Sequence, residues 1–100
     1  MAKKIIWTSS AQNDRKEIFT YWNNRNKSKK YSKKLNLLFI EATNLIAQYP
    51  KIGKFSGYDN VRIKTVKDYL MVYKEIENII YIITIWDGRQ NPLKLEKILT

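Results

Sequence analysis

Apolar residues along this chain follow two different spacings, and the change between them divides it into helical and extended parts. Ala11, Arg15, Ile18, Phe19 and Trp22 recur at steps of four and three, which places them on one face of a helix. The stretch SSAQ just before has the form of a capping box, with Ser9 as N-cap and Gln12 three residues on. The polar run NNRNKS ends this helix. A second series, Tyr31, Leu35, Leu38, Ala42, Leu45, Ile46 and Tyr49, keeps the helical period until Pro50 stops it. The link between the two is short, so an antiparallel helical hairpin is expected.

After the glycine-containing loop PKIGKFSGYDN the period becomes two. In VRIKT, Val61, Ile63 and Thr65 share one face while Arg62 and Lys64 share the other. DYLMVYKEI (68–76) is a second strand, Glu77-Asn78 a short reversal, and IIYIITIW (79–86) a third strand. That last strand is apolar on both faces, as a central strand covered on both sides would be. KKIIWT (3–8) is a further strand candidate, and the tail LKLEKILT fits a short helix or a strand equally. The expected order is β-α-α-β-β-β: an α+β fold with a two-helix hairpin on one face of a small antiparallel sheet, the first strand beside the meander. Its 100 residues suit one domain, 1–100.

Composition narrows the chemistry. There is no cysteine, hence no disulfide, thiol nucleophile or cysteine-based zinc site. There is no histidine either, so no imidazole acts as general base or metal ligand. No apolar run is long enough to span a membrane and the N-terminus does not read as a signal peptide, so the expected location is the cytoplasm. The net charge of +10 concerns partners: nucleic acid, an RNA-rich particle, an anionic membrane surface or an acidic protein.

One stretch poses a sharper question. In IWDGRQNP, Arg89 lies between two turn-forming pairs, Asp87-Gly88 and Asn91-Pro92. These pairs would hold the segment off the sheet and present the guanidinium to a partner's carboxylate or phosphate. The alternative is that Arg89 folds back onto an acid such as Asp87 or Glu75 and braces the turn. Arg62 and Lys64 also read as the wet face of a strand, and the three tryptophans as core or core edge. Lys27, Lys29, Lys30, Lys33 and Lys34 form a cationic block where the second helix starts, opposing the helix dipole; a solvated helix end and an anion-binding patch are both open.

Taken together, AQNDRKEIFTYW, LIAQYPKIGK, VRIKTVKDYLMVYKE and IYIITIWDGRQNP resemble, in order and spacing over nearly the whole chain, the RelE/ParE superfamily of toxins from bacterial type II toxin–antitoxin modules. The resemblance implies a small basic toxin neutralised in a hetero-oligomer by a cognate acidic antitoxin, with no metal or cofactor. RelE-like members cleave mRNA on the ribosome; ParE-like members inhibit DNA gyrase. Ribonuclease members hold the scissile phosphate with cations, because preorganised positive charge favours an anionic transition state. The candidates here are Lys51, Lys54, Arg62, Lys64 and Arg89, with Lys54, Arg62 and Arg89 as the catalytic set if the chain were a ribonuclease.

Two departures count against hydrolysis. Leu70 stands where ribonuclease members carry an arginine after the middle-strand tyrosine, and the tail has Leu93 and Leu95 where they carry an aromatic proton-transfer group. General acid–base help alone is worth roughly 10²–10⁴-fold. The expectation is a ParE-like toxin acting on gyrase by binding, without catalysis of its own. The alternatives are a ribosome-dependent mRNA endonuclease, a non-toxic nucleic-acid-binding module, and a degenerate toxin that keeps only its antitoxin contact.

Overall fold

The computed structural model describes residues 2–89. The tail LKLEKILT, with Leu93 and Leu95, and the Asn91-Pro92 pair lie outside the described residues. The elements are β1 (Lys4–Trp7), α1 (Ser9–Asn26), α2 (Lys30–Gln48), β2 (Lys54–Phe55), β3 (Val61–Val66), β4 (Tyr69–Ile76) and β5 (Ile79–Asp87). They form two helices on a five-stranded sheet of order β1-β5-β4-β3-β2.

The sheet is mixed and not antiparallel as expected. β1 runs parallel to β5, with Lys4 opposite Ile79 and Trp7 opposite Ile82, while the other pairs are antiparallel. Period-two spacing marks a strand but not the direction of its neighbour, so β1 gave no sign of this. The helix start also moves by one residue. Thr8, not Ser9, is the N-cap, its Oγ1 accepting the Ala11 N–H at 3.2 Å. The same hydroxyl lies 3.0 Å from the carbonyl oxygens of Ile82 and Ile83, so one side chain caps α1 and fastens it to β5. A cap with a second anchor outcompetes a serine without one.

Pro50 ends α2 as its ring requires, with Tyr49 as the C-cap residue. The core lies between the helices and one sheet face. Ala11, Leu35, Phe39, Ala42 and Ile46 meet Val66, Tyr69, Met71, Tyr73, Ile80, Ile82 and Ile85, with Ile18, Phe19 and Trp22 at the margin. Full burial of a side chain such as Leu35 or Phe39 contributes about 1.5–3 kcal/mol. Leu45 and Tyr49, assigned to the buried stripe by spacing, are exposed instead; Phe39 takes the inner position.

The strand β5 lies inside the sheet, but its second face is only half covered by the described residues. Ile83 and Trp86 there join Leu70, Ile63, Val61 and Val72 in a smaller cluster. A bulge lets β5 serve both faces. Val72 pairs with Thr84 and Tyr73 with Ile82, leaving Ile83 as the extra residue. Ile82 and Ile85, three apart, therefore both face the helices.

Candidate functional site

The loop from Pro50 to Phe55 is built from below. Tyr73 is buried, and its hydroxyl donates to the Pro50 carbonyl at 2.8 Å while accepting the Gly53 N–H at 2.8 Å. Burial raises the Tyr73 pKa above the usual phenol value, and the Gly53 bond works against that rise. Gly53 is required by close approach: a Cβ there would sit 2.6 Å from the Tyr73 oxygen and 3.0 Å from the Ile63 carbonyl oxygen. Arg62 completes the brace. Its Nη1 donates to the Gly53 carbonyl at 2.9 Å and lies 3.4 Å from that of Lys51, and its guanidinium sits 5.9 Å from the centre of the Phe55 ring. The braced loop holds Lys51, Ile52, Lys54 and Phe55 exposed.

Arg62 and Lys64 do share a face of β3, but it is the face that carries the helices. Arg62 is opposite Tyr73 and Lys64 opposite Met71. Both are half-buried beyond the edge of the helical layer, Lys64 in a hollow with Leu38, Glu41 and Leu45 of α2. The wet-face reading of these cations is thus corrected: the outward face of β3 carries Val61 and Ile63.

At the other end, Asp87 is still strand, and Gly88 remains tied to the β3–β4 turn by an N–H bond to the Asp68 carbonyl at 2.8 Å. The segment is not held off the sheet at this point. Arg89 folds back on Asp87: Nε to Oδ1 at 3.0 Å, Nη2 to Oδ2 at 2.9 Å, and its own N–H to Oδ1 at 2.9 Å. The Arg89 hydrogen bond holds the Asp87 carboxyl below the usual carboxylate range against modest desolvation, and the pair raises the Arg89 pKa. The Arg89 side chain stays 58% exposed, so exposure and self-pairing hold together. A cleft of about 410 Å³ opens beside it, lined by Asp14, Glu17, Tyr21, Tyr69, Trp86 and Asp87 among others.

The proposed cations do not converge. Arg62 stands on the Tyr73–Ile82 rung and Arg89 follows the Val66–Tyr69–Asp87 rung. That is about 13 Å along the strands and about 10 Å across. Lys51, Lys54 and Arg62 gather at the braced loop; Lys64 and Arg89 stand apart from them. Leu70 lies on the opposite sheet face, beside Trp86.

Sequence spacing missed two features. Asp14 accepts from Thr84 Oγ1 at 2.6 Å and from the Ile85 N–H at 3.2 Å, locking α1 onto the β5 bulge. The second is a set of exposed apolar side chains on α2 and beyond: Leu37 is 68% exposed and Tyr49 60%, with Ile40, Leu45, Ile52 and Phe55 also exposed. They do not form one patch: Ile40 faces the α1 side of the helix and Leu45 the β3 side, while Tyr49, Ile52 and Phe55 follow one another around the braced loop.

The family model for the ParE toxin of type II toxin–antitoxin systems, parDE, matches residues 5–92. The chain belongs to this ParE toxin family. Its fold is similar to that of a solved chain from the chromosomal ParDE toxin–antitoxin system of P. aeruginosa, with a TM-score of 0.75 and 18% identity over 86% of this chain and 96% of that one. A comparison with curated proteins found no match. Among the described residues, no helix is long and apolar enough to cross a membrane.

Proposed function

We propose that this ParE-family chain is a toxin that works by binding, with DNA gyrase as its target, and that an acidic antitoxin neutralises it in the cytoplasm as part of a hetero-oligomer. The observation that carries the non-hydrolytic reading is the separation of Arg89 from the group of Lys51, Lys54 and Arg62. A ribonuclease needs several positive groups around one phosphate, whereas Arg62 is spent on backbone carbonyls and Arg89 on Asp87, at separate ends of the sheet. The two buried tyrosines are engaged within the fold. The Tyr69 hydroxyl accepts from Trp22 Nε1 at 2.7 Å, and burial raises the pKa of both phenols.

The antitoxin reading rests on surface chemistry. Exposed Tyr49, Ile52 and Phe55 alternate with Lys51 and Lys54 around the braced loop, which suits a segment carrying both apolar residues and acids. Opposite charge makes such association fast and salt-dependent.

Controlled expression in bacteria tests the proposal. Plasmid supercoiling and protein synthesis are followed together after induction, with and without any small reading frame that adjoins the gene. Lost supercoiling with translation initially intact, rescued by the neighbour, is the expected result. Immediate loss of translation with mRNA cut on the ribosome would replace it with the endonuclease reading.

A further inference from the structure

The positive charge of this protein is concentrated at one corner. Between Glu17 and Glu41 the 23 residues contain no acid and six cations: Arg25, Lys27, Lys29, Lys30, Lys33 and Lys34. Six of 19 cations and none of nine acids give this segment +6 of the net +10. All six are exposed, and among the described residues none enters an ion pair.

Arg25 and Lys27 end α1, where the helix dipole favours cations, and Arg25 also donates to the Tyr21 hydroxyl at 3.3 Å, but the lysines that open α2 have no such reward. Lys29, Lys30 and Lys33 lie at the start of α2, where the helix dipole disfavours cations, and the N-cap Lys29 has no capping side chain, the Ser28 hydroxyl accepting the Lys30 N–H at 3.2 Å instead. Lys27 is the C-cap of α1 with φ of 53°, a left-handed conformation in which glycine is the favoured residue. Yet the corner is firmly built. Ser32 Oγ, buried, lies 2.5 Å from Asn23 Oδ1 and 3.1 Å from the Lys29 carbonyl oxygen, and the Trp22 and Tyr31 rings pack edge to face at 4.6 Å.

We infer that this corner, from Asn24 to Lys34, is a binding surface for the phosphate backbone of duplex DNA. Asn24 to Lys30 are seven consecutive exposed residues without an apolar side chain, all Asn, Arg, Lys or Ser. Those are residue types that contact phosphate oxygens, whereas lysine is depleted from protein–protein interface cores. Lys30, Lys33 and Lys34 follow one helix face over about 6 Å, and duplex DNA offers a phosphate charge about every 1.7 Å of its axis. Single strands are held by successive bases stacked on several free aromatic faces; at this corner Trp22 and Tyr31 are packed against each other and Tyr21 is the one exposed ring, with its hydroxyl taken by Arg25. Binding is therefore set by charge and indifferent to base sequence. This assignment stands apart from the choice of toxin target.

Fluorescence anisotropy of the purified full-length chain with a labelled duplex of mixed sequence, over a series of salt concentrations, tests it. Each phosphate contact contributes about 0.9 to the slope of log affinity against log salt. The triple variant Lys29→Gln, Lys30→Gln, Lys33→Gln should make the slope shallower by roughly 2 to 3. A second triple variant, Lys4→Gln, Lys16→Gln, Lys67→Gln, removes the same charge elsewhere and should leave the slope in place. The corner variant should melt no lower than wild type, since it removes cations from a helix start, and a Lys→Arg triple at the same positions should bind as wild type does. Equal losses in the two Gln triples, absence of binding at low salt, loss of binding in the Arg triple, or preference for single-stranded RNA or phosphatidylserine vesicles over the duplex would each overturn the assignment.

Discussion

Arg62 and Arg89 are both arginines on this sheet, both bonded to oxygen, and they are held in opposite ways. Arg62 is half-buried and donates to backbone carbonyls that cannot move away without unfolding the Pro50–Phe55 loop. Arg89 is exposed and grips a carboxylate two residues back, a partner that another anion can replace. The same side chain thus serves as a brace in one place and as a releasable contact in the other. What decides is the partner and its burial, not the arginine.

The brace fails most completely at its buried end. Tyr73→Phe leaves the Gly53 N–H and the Pro50 carbonyl without their partner. A buried unsatisfied group costs about 1–3 kcal/mol, and about 1 kcal/mol lowers the melting temperature of a domain this size by roughly 4–8 °C. Thermal unfolding should show a fall on the order of 10 °C. A fall of a degree or so would mean that the loop holds itself.

Arg62→Ala should be the next largest effect, about 1–2 kcal/mol, since the lost hydrogen bonds involve a charged donor but keep some access to water. Arg62→Lys should recover only part: both bonds come from Nη1 alone, but a strongly hydrated ammonium gives up the planar contact with Phe55. Full recovery by lysine would show that charge alone matters there and would bring Arg62 closer to Arg89.

How legible was this contrast in the sequence? The element order and most of the core were readable, because helix and strand periods are local properties of the chain. The parallel pairing of β1 was not, since spacing fixes a strand but not its neighbour. The bulge at Ile83 was hidden for a related reason: strict alternation would send Ile82 and Ile85 to opposite faces, yet both meet the helices. On the site, the sequence gathered five cations near one cleft, whereas the fold puts Arg62 and Arg89 at separate ends of the sheet. The brace depends on Tyr73 reaching a loop 20 residues earlier, and no local pattern carries that. The fold-back of Arg89 onto Asp87, by contrast, is a contact between near neighbours and stood among the readings from the start.

Arg89→Ala should leave thermal stability nearly unchanged, as exposed substitutions usually do. If Arg89 contacts the target, growth inhibition should fall markedly on the same expression level. A variant that melts several degrees lower and still arrests growth would move Arg89 into the class of Arg62.

The smallest effect is in pH, and it isolates the Arg89 contact. Arg89 holds the Asp87 carboxyl below its ordinary value, so the folded-state pKa is lower than the unfolded one, roughly 3.9. A group depressed in this way contributes stability above its unfolded pKa and loses that contribution as pH falls through the folded value. The stability difference between wild type and Arg89→Ala should therefore be flat around neutral pH and shrink below about pH 4. Asp59, lowered by its bond to Lys74, titrates in the same range, but it is common to both proteins and cancels in the difference. Denaturant titrations of the two proteins along a pH series give that curve. A gap that persists at acid pH would mean that Arg89 is held by something other than the Asp87 carboxylate, and the exchange of that carboxylate for a partner's anion would no longer follow.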